Sequence, residues 1–249
     1  MGAMDKAHND SQPFEEVPSE ADEKTADTPR GGKQRRENSV LKEYGLIILY
    51  ALLIAYLLKT FILRGFYIPS SSMEDTLQIN DRVFVNVAGS LFSDADRGDV
   101  VVFKDTQNWM PPTTGSNPVR NALSFVGIMP DISSNYLVKR VIGVGGDHVV
   151  GHEDGSISIN GVTLNETYLK DGVSPTEIPF DVIVPQNSYF VMGDNRSNSA
   201  DSRYHIETRT EFINEADVEG EVFVVAWPVQ RFTFTGGAPE VFANVPEGE

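Results

Sequence analysis

The chain has 249 residues, 40% of them apolar, with 14 prolines, 21 glycines and no cysteine. Its length suits one or two domains, and the missing cysteine excludes disulfides, thiolate metal sites and thiol catalysis. The formal net charge is −16, and residues 65–249 alone hold 11 Lys/Arg against 26 Asp/Glu, a surface that repels nucleic acid and argues against it as a partner.

Residues 1–38 are rich in Glu, Asp, Lys, Ser, Pro and Gln and almost free of aliphatic side chains. Such a segment cannot bury enough apolar surface to offset the entropy of ordering, so disorder is expected over a tail that reaches residue 43. Its end changes sign: Arg30, Lys33, Arg35, Arg36 and Lys42 stand against Glu37 and Glu43. Tyr44 to Leu58 then runs without a charge, and apolar character resumes beyond Lys59 through Phe61-Ile62-Leu63. As a helix, Tyr44–Leu63 is about 30 Å long, the thickness of a hydrocarbon core. A transmembrane helix is therefore predicted, with Lys59 snorkelling to the headgroups. A cleaved signal peptide fits poorly, because a long polar segment precedes the run and no small-x-small site follows it. The basic residues before the run predict a cytoplasmic N-terminus, a single pass through the cell membrane and an extracytoplasmic remainder. The lipid bilayer is thus an expected partner.

Beyond the span the sequence reads as mainly β, an antiparallel sheet or barrel-like domain over residues 65–235. Segments rich in Val, Ile, Phe and Tyr and broken by turn residues predict strands at Arg82–Val87, Val100–Phe103, Tyr136–Val144 and His148–Val150. Others fall at Ser156–Ile159, Val182–Val184, Tyr189–Met192 and Val222–Trp227. Asp154-Gly155 and Asn160-Gly161 are turn signals that make 147–164 a hairpin or meander. A short helical piece is expected near Asn214–Val218. Residues 106–135, with Pro111-Pro112 and Asn117-Pro118, read as a long inserted loop, and 236–249 as a frayed tail.

Three serines, Ser70, Ser71 and Ser72, lie just past the apolar run. A serine hydroxyl needs a base to become a nucleophile. The candidate bases are the four histidines, several carboxylates and the lysines. His148 and His152 beside Glu153 and Asp154 have the composition of a metal site, but that spacing in a hairpin is ordinarily polar surface. Lys139 sits within Tyr136–Gly143, where alternation puts it on one face with Leu137 and Val141. A lysine in apolar surroundings loses its charge readily, and the neutral amine is a competent general base. A third stretch, Gly193 to Tyr204, is dense in Asp, Asn, Ser and Arg, side chains able to bond one another and orient an amine.

In this order the features resemble the bacterial type I signal peptidases, or leader peptidases, which are membrane-anchored serine proteases with a Ser–Lys dyad. Pro69–Leu77 is similar to the family's nucleophile box. Arg97–Phe103 resembles the strand box after it, Tyr136–Asp147 the lysine box, and Gly193–Arg203 the last box. The resemblance implies that Ser72 is the nucleophile and Lys139 the general base. Ser70 would complete an oxyanion hole with the Ser72 N–H, Ser199 would hydrogen-bond the lysine amine, and Asp201 with Arg203 would form a supporting ion pair. It further implies exported preproteins as substrates, cut after small residues of an Ala-x-Ala type and bound as a strand against Phe66, Tyr67, Ile68 and Pro69 on one side and Tyr136, Leu137 and Val138 on the other. No metal or cofactor is implied. Two positions depart from the pattern: Asp75 stands where proline is common and Ser71 where glycine is frequent, which leaves the stiffness of the turn open. The alternative is a non-catalytic surface assembly or chaperone protein of the same fold.

Overall fold

The structure, a computed structural model, describes residues 32–61, 63–90, 93–111, 136–170 and 172–248. It divides into two compact units, Met1–Leu49 and Tyr50–Glu249. The described part of the first is the beginning of helix α1 (Gly32–Phe61), where Tyr44, Leu46, Ile47, Ile48 and Leu49 are exposed. α1 thus starts inside the tail expected to be disordered; the rest of that tail lies outside the described residues. The predicted span is shortened at its other end, because α1 stops at Phe61 and Leu63 already opens a strand. Among the described residues no helix is long and apolar enough to cross a membrane. The predicted span includes residue 62 and the side chains of 57–61, which lie outside them.

The second unit is mainly antiparallel β, as the sequence predicts. One sheet runs β1-β2-β11-β3-β4-β9-β10, with β12 beside β11. Its strands are β1 (Leu63–Tyr67), β2 (Arg82–Asn86), β3 (Val100–Lys104), β4 (Tyr136–Gly143), β9 (Ser188–Met192), β10 (Phe212–Asn214), β11 (Val218–Trp227) and β12 (Thr233–Phe234). A smaller sheet runs β7-β6-β5-β8, from β5 (His148–Gly151), β6 (Ile157–Ile159), β7 (Val162–Thr163) and β8 (Phe180–Ile183). The predicted meander is therefore real, and the backbone shows why its turn residues are there: Gly155, Asn160 and Gly161 all take positive φ. Beyond the end of α1, helical structure among the described residues of the unit is slight: α2 (Val87–Ser90), a 3₁₀ turn at Glu215–Asp217 near its predicted place, further short 3₁₀ turns, and α3 (Pro239–Phe242).

Three apolar clusters hold the unit together. Ile142, Phe190 and Met192 of the large sheet interlock with Val149, Ile157, Ile159 and Val182 of the small one. Phe66, Ile68, Met73, Leu77, Val83 and Val85 form a second cluster with Val100, Val102 and Val225. Val101, Phe103, Trp109, Val141, Tyr189, Val191 and Ile213 form the third. Burial on this scale contributes about 25 cal/mol for each Å² of apolar surface removed from water.

The tail expected to fray is in fact packed. Phe242 of α3 is 6% exposed and joins the inter-sheet cluster, with Val241 and Val245 against it. The Pro246 carbonyl accepts from Arg97 (3.1 Å) and from Asn160 (2.9 Å). Composition missed this because three apolar residues spread over a Pro/Gly/Glu-rich tail carry no periodic signal. The predicted loop 106–135 is described only at 106–111, where Asp105 accepts the backbone N–H groups of Trp109 and Met110 at 2.9 Å each.

Candidate active site

The nucleophile box forms a loop between β1 and β2. Ile68 N–H donates to the Asp81 carbonyl and Asn80 N–H to the Ile68 carbonyl, both at 2.9 Å, which closes the loop at its base. Ile68, Met73 and Leu77, each 2% exposed or less, anchor it in the second cluster. Between those anchors Glu74 N–H bonds the Ser71 carbonyl at 3.0 Å and Leu77 N–H the Met73 carbonyl at 2.7 Å, so Ser72 sits half-buried on a tight turn. Asp75 has φ of +87°, a conformation closed to proline, whose ring fixes φ near −65°. Here the turn therefore cannot be stiffened as a proline would stiffen it, and its rigidity comes from partners across the site.

Those partners sit on β4 and on the segment after β9. The Lys139 Nζ lies 2.9 Å from Ser72 Oγ and 3.0 Å from its neighbour Val138's carbonyl oxygen. Lys139 is 3% exposed. That burial lowers its pKa to about 8, against the opposing pull of the Asp201 and Asp194 carboxylates. Leu137 and Val141 share a cluster, as the alternation predicts. Ser70 Oγ stands 3.3 Å from Ser72 Oγ at the exposed side of the turn.

Ser199 does not do what the resemblance implies. Its Oγ is buried without a hydrogen-bond partner among the described residues, and the lysine amine bonds Ser72 and Val138 instead. Asp201 and Arg203 do form the expected ion pair, both fully buried, with contacts of 2.9 Å from Nε and Nη2. Asp201 also accepts the Gly193 N–H at 3.0 Å. Gly193 has to be glycine: a Cβ there would lie 2.2 Å from Ser199 Oγ and 2.4 Å from the Ser72 carbonyl oxygen.

Several contributing residues were not singled out from the sequence. The Arg140 guanidinium meets Asp194 through two bonds, at 2.8 and 2.6 Å, and donates to the Gly98 carbonyl at 2.6 Å. It lies 4.0 Å over the Tyr168 ring. Asp194 also accepts the Thr76 hydroxyl, tying the nucleophile loop to the pair. Asn195 bonds the Ser71 and Ser72 carbonyls, each at 3.0 Å. The usable signal was register: β9 pairs Met192 with Arg140, so an acid two residues further on is within reach of that arginine.

The residues expected to hold a substrate line two strands with open edges. Among the described strands β1 is the first of its sheet and pairs only with β2. β4 pairs with β3 from Tyr136 to Arg140, but with β9 only from Arg140 on, which leaves Leu137–Lys139 with one ladder partner among the described strands. The Phe66 and Tyr136 rings meet edge-on at 5.2 Å, so the sheet curls until β1 and β4 approach each other. Phe66 and Ile68 are buried, Tyr67, Tyr136, Leu137 and Val138 half-buried, and Pro69 exposed. The histidines stand elsewhere: His148 contacts Asp181 and His152 contacts Ser158 in the small sheet, and His205 stacks on Trp109. Among the described residues no cluster of three or more His or carboxylate side chains is arranged to hold a metal.

A hydroxyl and a buried amine within hydrogen-bond reach of it are the parts a serine peptidase needs. Comparison with known proteins agrees. Residues 41–227 match the model of the family described as signal peptidase, peptidase S26. The chain belongs to that family. A probable signal peptidase I of Mycobacterium leprae is 36% identical, covering 89% of this chain and 88% of its own. The signal peptidase I of Mycobacterium tuberculosis is 34% identical over 90% and 85%, and a probable signal peptidase I-2 of Synechocystis sp. is 35% identical over 78% and 77%. The chain is accordingly a serine peptidase, a hydrolase of the signal peptidase class.

Proposed function

We propose that this peptidase removes N-terminal signal peptides from exported preproteins, cutting after small residues through an acyl-enzyme on Ser72 with Lys139 as general base. The observation that carries the reading is the 2.9 Å contact between Ser72 Oγ and a lysine amine whose pKa burial lowers to about 8. Neutral Lys139 takes the hydroxyl proton as Oγ attacks the scissile carbonyl. The resulting oxyanion is met by the Ser72 N–H and the Ser70 hydroxyl. Lys139 returns the proton to the departing amine, then deprotonates the water that releases the signal peptide. Asp201, held by Arg203, fixes the Gly193 turn.

The preprotein lies as an added strand between Phe66–Pro69 and Tyr136–Val138, held by main-chain bonds of the kind an added strand makes. The side chains at the first and third positions before the cut are alanine-sized, as in the Ala-x-Ala pattern that the family resemblance implies. The chemistry needs no cofactor or metal. The apolar stretch of α1 from Tyr44 to Phe61 is the membrane anchor, with the N-terminal tail cytoplasmic and residues 65–235 outside. Exposed Leu46, Ile47, Ile48, Leu52 and Ile54 support it, since such a row is costly in water. The anchor concentrates the enzyme beside substrates that are themselves in the bilayer.

The test is cleavage of a preprotein with an Ala-x-Ala site in detergent micelles. One cut after the small residue by wild type, with folded but inactive Ser72→Ala and Lys139→Ala, is the expected result. Activity that survives either substitution places the nucleophile or base elsewhere, and an inert wild type favours a scaffold role.

A further inference from the structure

We propose that Asn195 is a positioning residue that fixes the peptide plane between Ser71 and Ser72 and thereby aims the Ser72 N–H at the oxyanion, an inference that rests on the reading of Ser72 as nucleophile. A trans peptide is planar, so the carbonyl of one residue and the N–H of the next point to opposite sides. Whatever holds the Ser71 carbonyl therefore sets the direction of the Ser72 N–H.

Two donors hold it. Glu74 N–H does so at 3.0 Å, but that bond belongs to the turn and moves with it. The second donor is Asn195 Nδ2, also at 3.0 Å, which arrives from the segment after β9. β9 is paired with β4, the strand that carries Lys139, so this bond references the nucleophile's peptide plane to the base. The Asn195 backbone N–H donates to the Ser72 carbonyl at 3.0 Å, so one residue grips the peptide planes on both sides of the Ser72 Cα.

The side-chain amide can serve only one way round. Nδ2 faces two oxygens, the Ser71 carbonyl and Glu74 Oε2 (3.3 Å), while Oδ1 accepts from Ser197 Oγ (3.2 Å). Reversing it would set an acceptor against two acceptors. Asn198 adds a hold on the same residue, donating to Ser71 Oγ at 2.9 Å, a contact available because Ser71 has a side chain where glycine is frequent. With Asp75 in a conformation closed to proline, these contacts across the site supply the stiffness that the turn's own sequence does not.

Asn195→Asp tests the role with little change of size. It keeps the backbone N–H and replaces the amide donor with a carboxylate oxygen set against the Ser71 carbonyl; Asn195→Ala removes the group altogether. The measurements are kcat and KM on an Ala-x-Ala peptide, thermal stability, and the inhibition constant of a peptide aldehyde ending at the cleavage position. Addition of Ser72 Oγ to the aldehyde carbon puts an oxygen where the oxyanion forms, with the hydroxyl proton passing to Lys139. Expected is a fall in kcat of about tenfold or more, KM nearly unchanged, and aldehyde affinity weakened by the same factor as kcat/KM. A purely structural role would lower the melting temperature and leave the aldehyde-to-substrate affinity ratio alone. Wild-type kcat in Asn195→Asp overturns the proposal, as does a fall in kcat without loss of aldehyde affinity. If Asn195→Ala does not fold, the Asp variant decides. Ser72→Ala run alongside separates the two possible failures. An enzyme silenced by Ser72→Ala but indifferent to Asn195→Asp loses the positioning role alone. One that still cuts without Ser72 loses the nucleophile and this proposal together.

Discussion

A lysine serves as base only in the fraction of molecules where it is neutral, and burial sets that fraction here. With a pKa of about 8, Lys139 is charged in most molecules at neutral pH, and the neutral form takes over as the solution becomes alkaline. The rate should therefore climb with pH up to about 8 and then level off. Lys139→Arg keeps a positive charge but never deprotonates in this range, so it should be inactive at every pH. Rates measured from pH 6 to 10 check both; a flat wild-type profile would remove lysine as the base. At this scale three serines past an apolar run and an amine among aliphatic residues leave a mark in the sequence, and only the family resemblance picks Ser72 from the three. The grip of Asn195 was not legible, since an asparagine in a polar run looks the same whether it faces water or a carbonyl. The missing Ser199–Lys139 bond was equally invisible, because it turns on which of two acceptors the amine prefers.

Between elements, the site is a junction of the nucleophile loop, β4 and the segment following β9. Arg140, Asp194 and Thr76 tie the three together in a place with almost no water, Arg140 and Asp194 being 3% and 0% exposed at their side chains. Removing one partner of a buried ion pair leaves the other charge uncompensated, typically at about 3–5 kcal/mol. Asp194→Ala should thus lower the melting temperature by about 10 °C in a domain of this size. It should also shift the pH–rate midpoint of the surviving enzyme downward, because Asp194 is one of the two carboxylates that raise the Lys139 pKa. A double substitution, Arg140→Met with Asp194→Leu, should recover much of the stability, since it leaves no orphaned charge. Equal melting temperatures for the single and double variants would count against the pair as the cause. The elements themselves were largely legible: the predicted strands sit within a residue or two of their observed ends, except that β11 begins at Val218, four residues before its predicted start, because apolar alternation and turn residues agree at the other ends. β1 was missed because Leu63 continues an apolar run that reads as membrane helix. β7, β10 and β12 are too short to show a period.

For the molecule as a whole, the large sheet carries a second titrating feature remote in kind from the dyad. Glu221 on β11 and Asp99 just before β3 are hydrogen-bonded carboxyl groups, an arrangement that requires a shared proton. Burial first, and then the Asp99 charge, push the Glu221 pKa up from 4.5 to about 7; Asp99 is raised as well, also mainly by burial, with Asp96 adding repulsion and Arg140 opposing it. The folded chain therefore holds this proton more tightly than the unfolded chain does. Between pH 4.5 and about 7 the folded state binds more protons, so stability must fall as pH rises through that window. The contribution is complete in acid and lost in alkali. Lys139 runs the other way: activity grows as the solution becomes alkaline, so the enzyme is asked to work where the carboxyl pair no longer helps to close β11 onto β3. Glu221→Gln keeps a neutral hydrogen-bonding group at every pH. Its denaturation midpoint should change less between pH 5 and pH 7 than that of the wild type, and at pH 8 the variant should be the more stable of the two while cleaving at the wild-type rate. If both proteins lose the same stability over that interval, the two carboxyl groups share no proton and the alkaline limit of this peptidase lies in some other part of the fold.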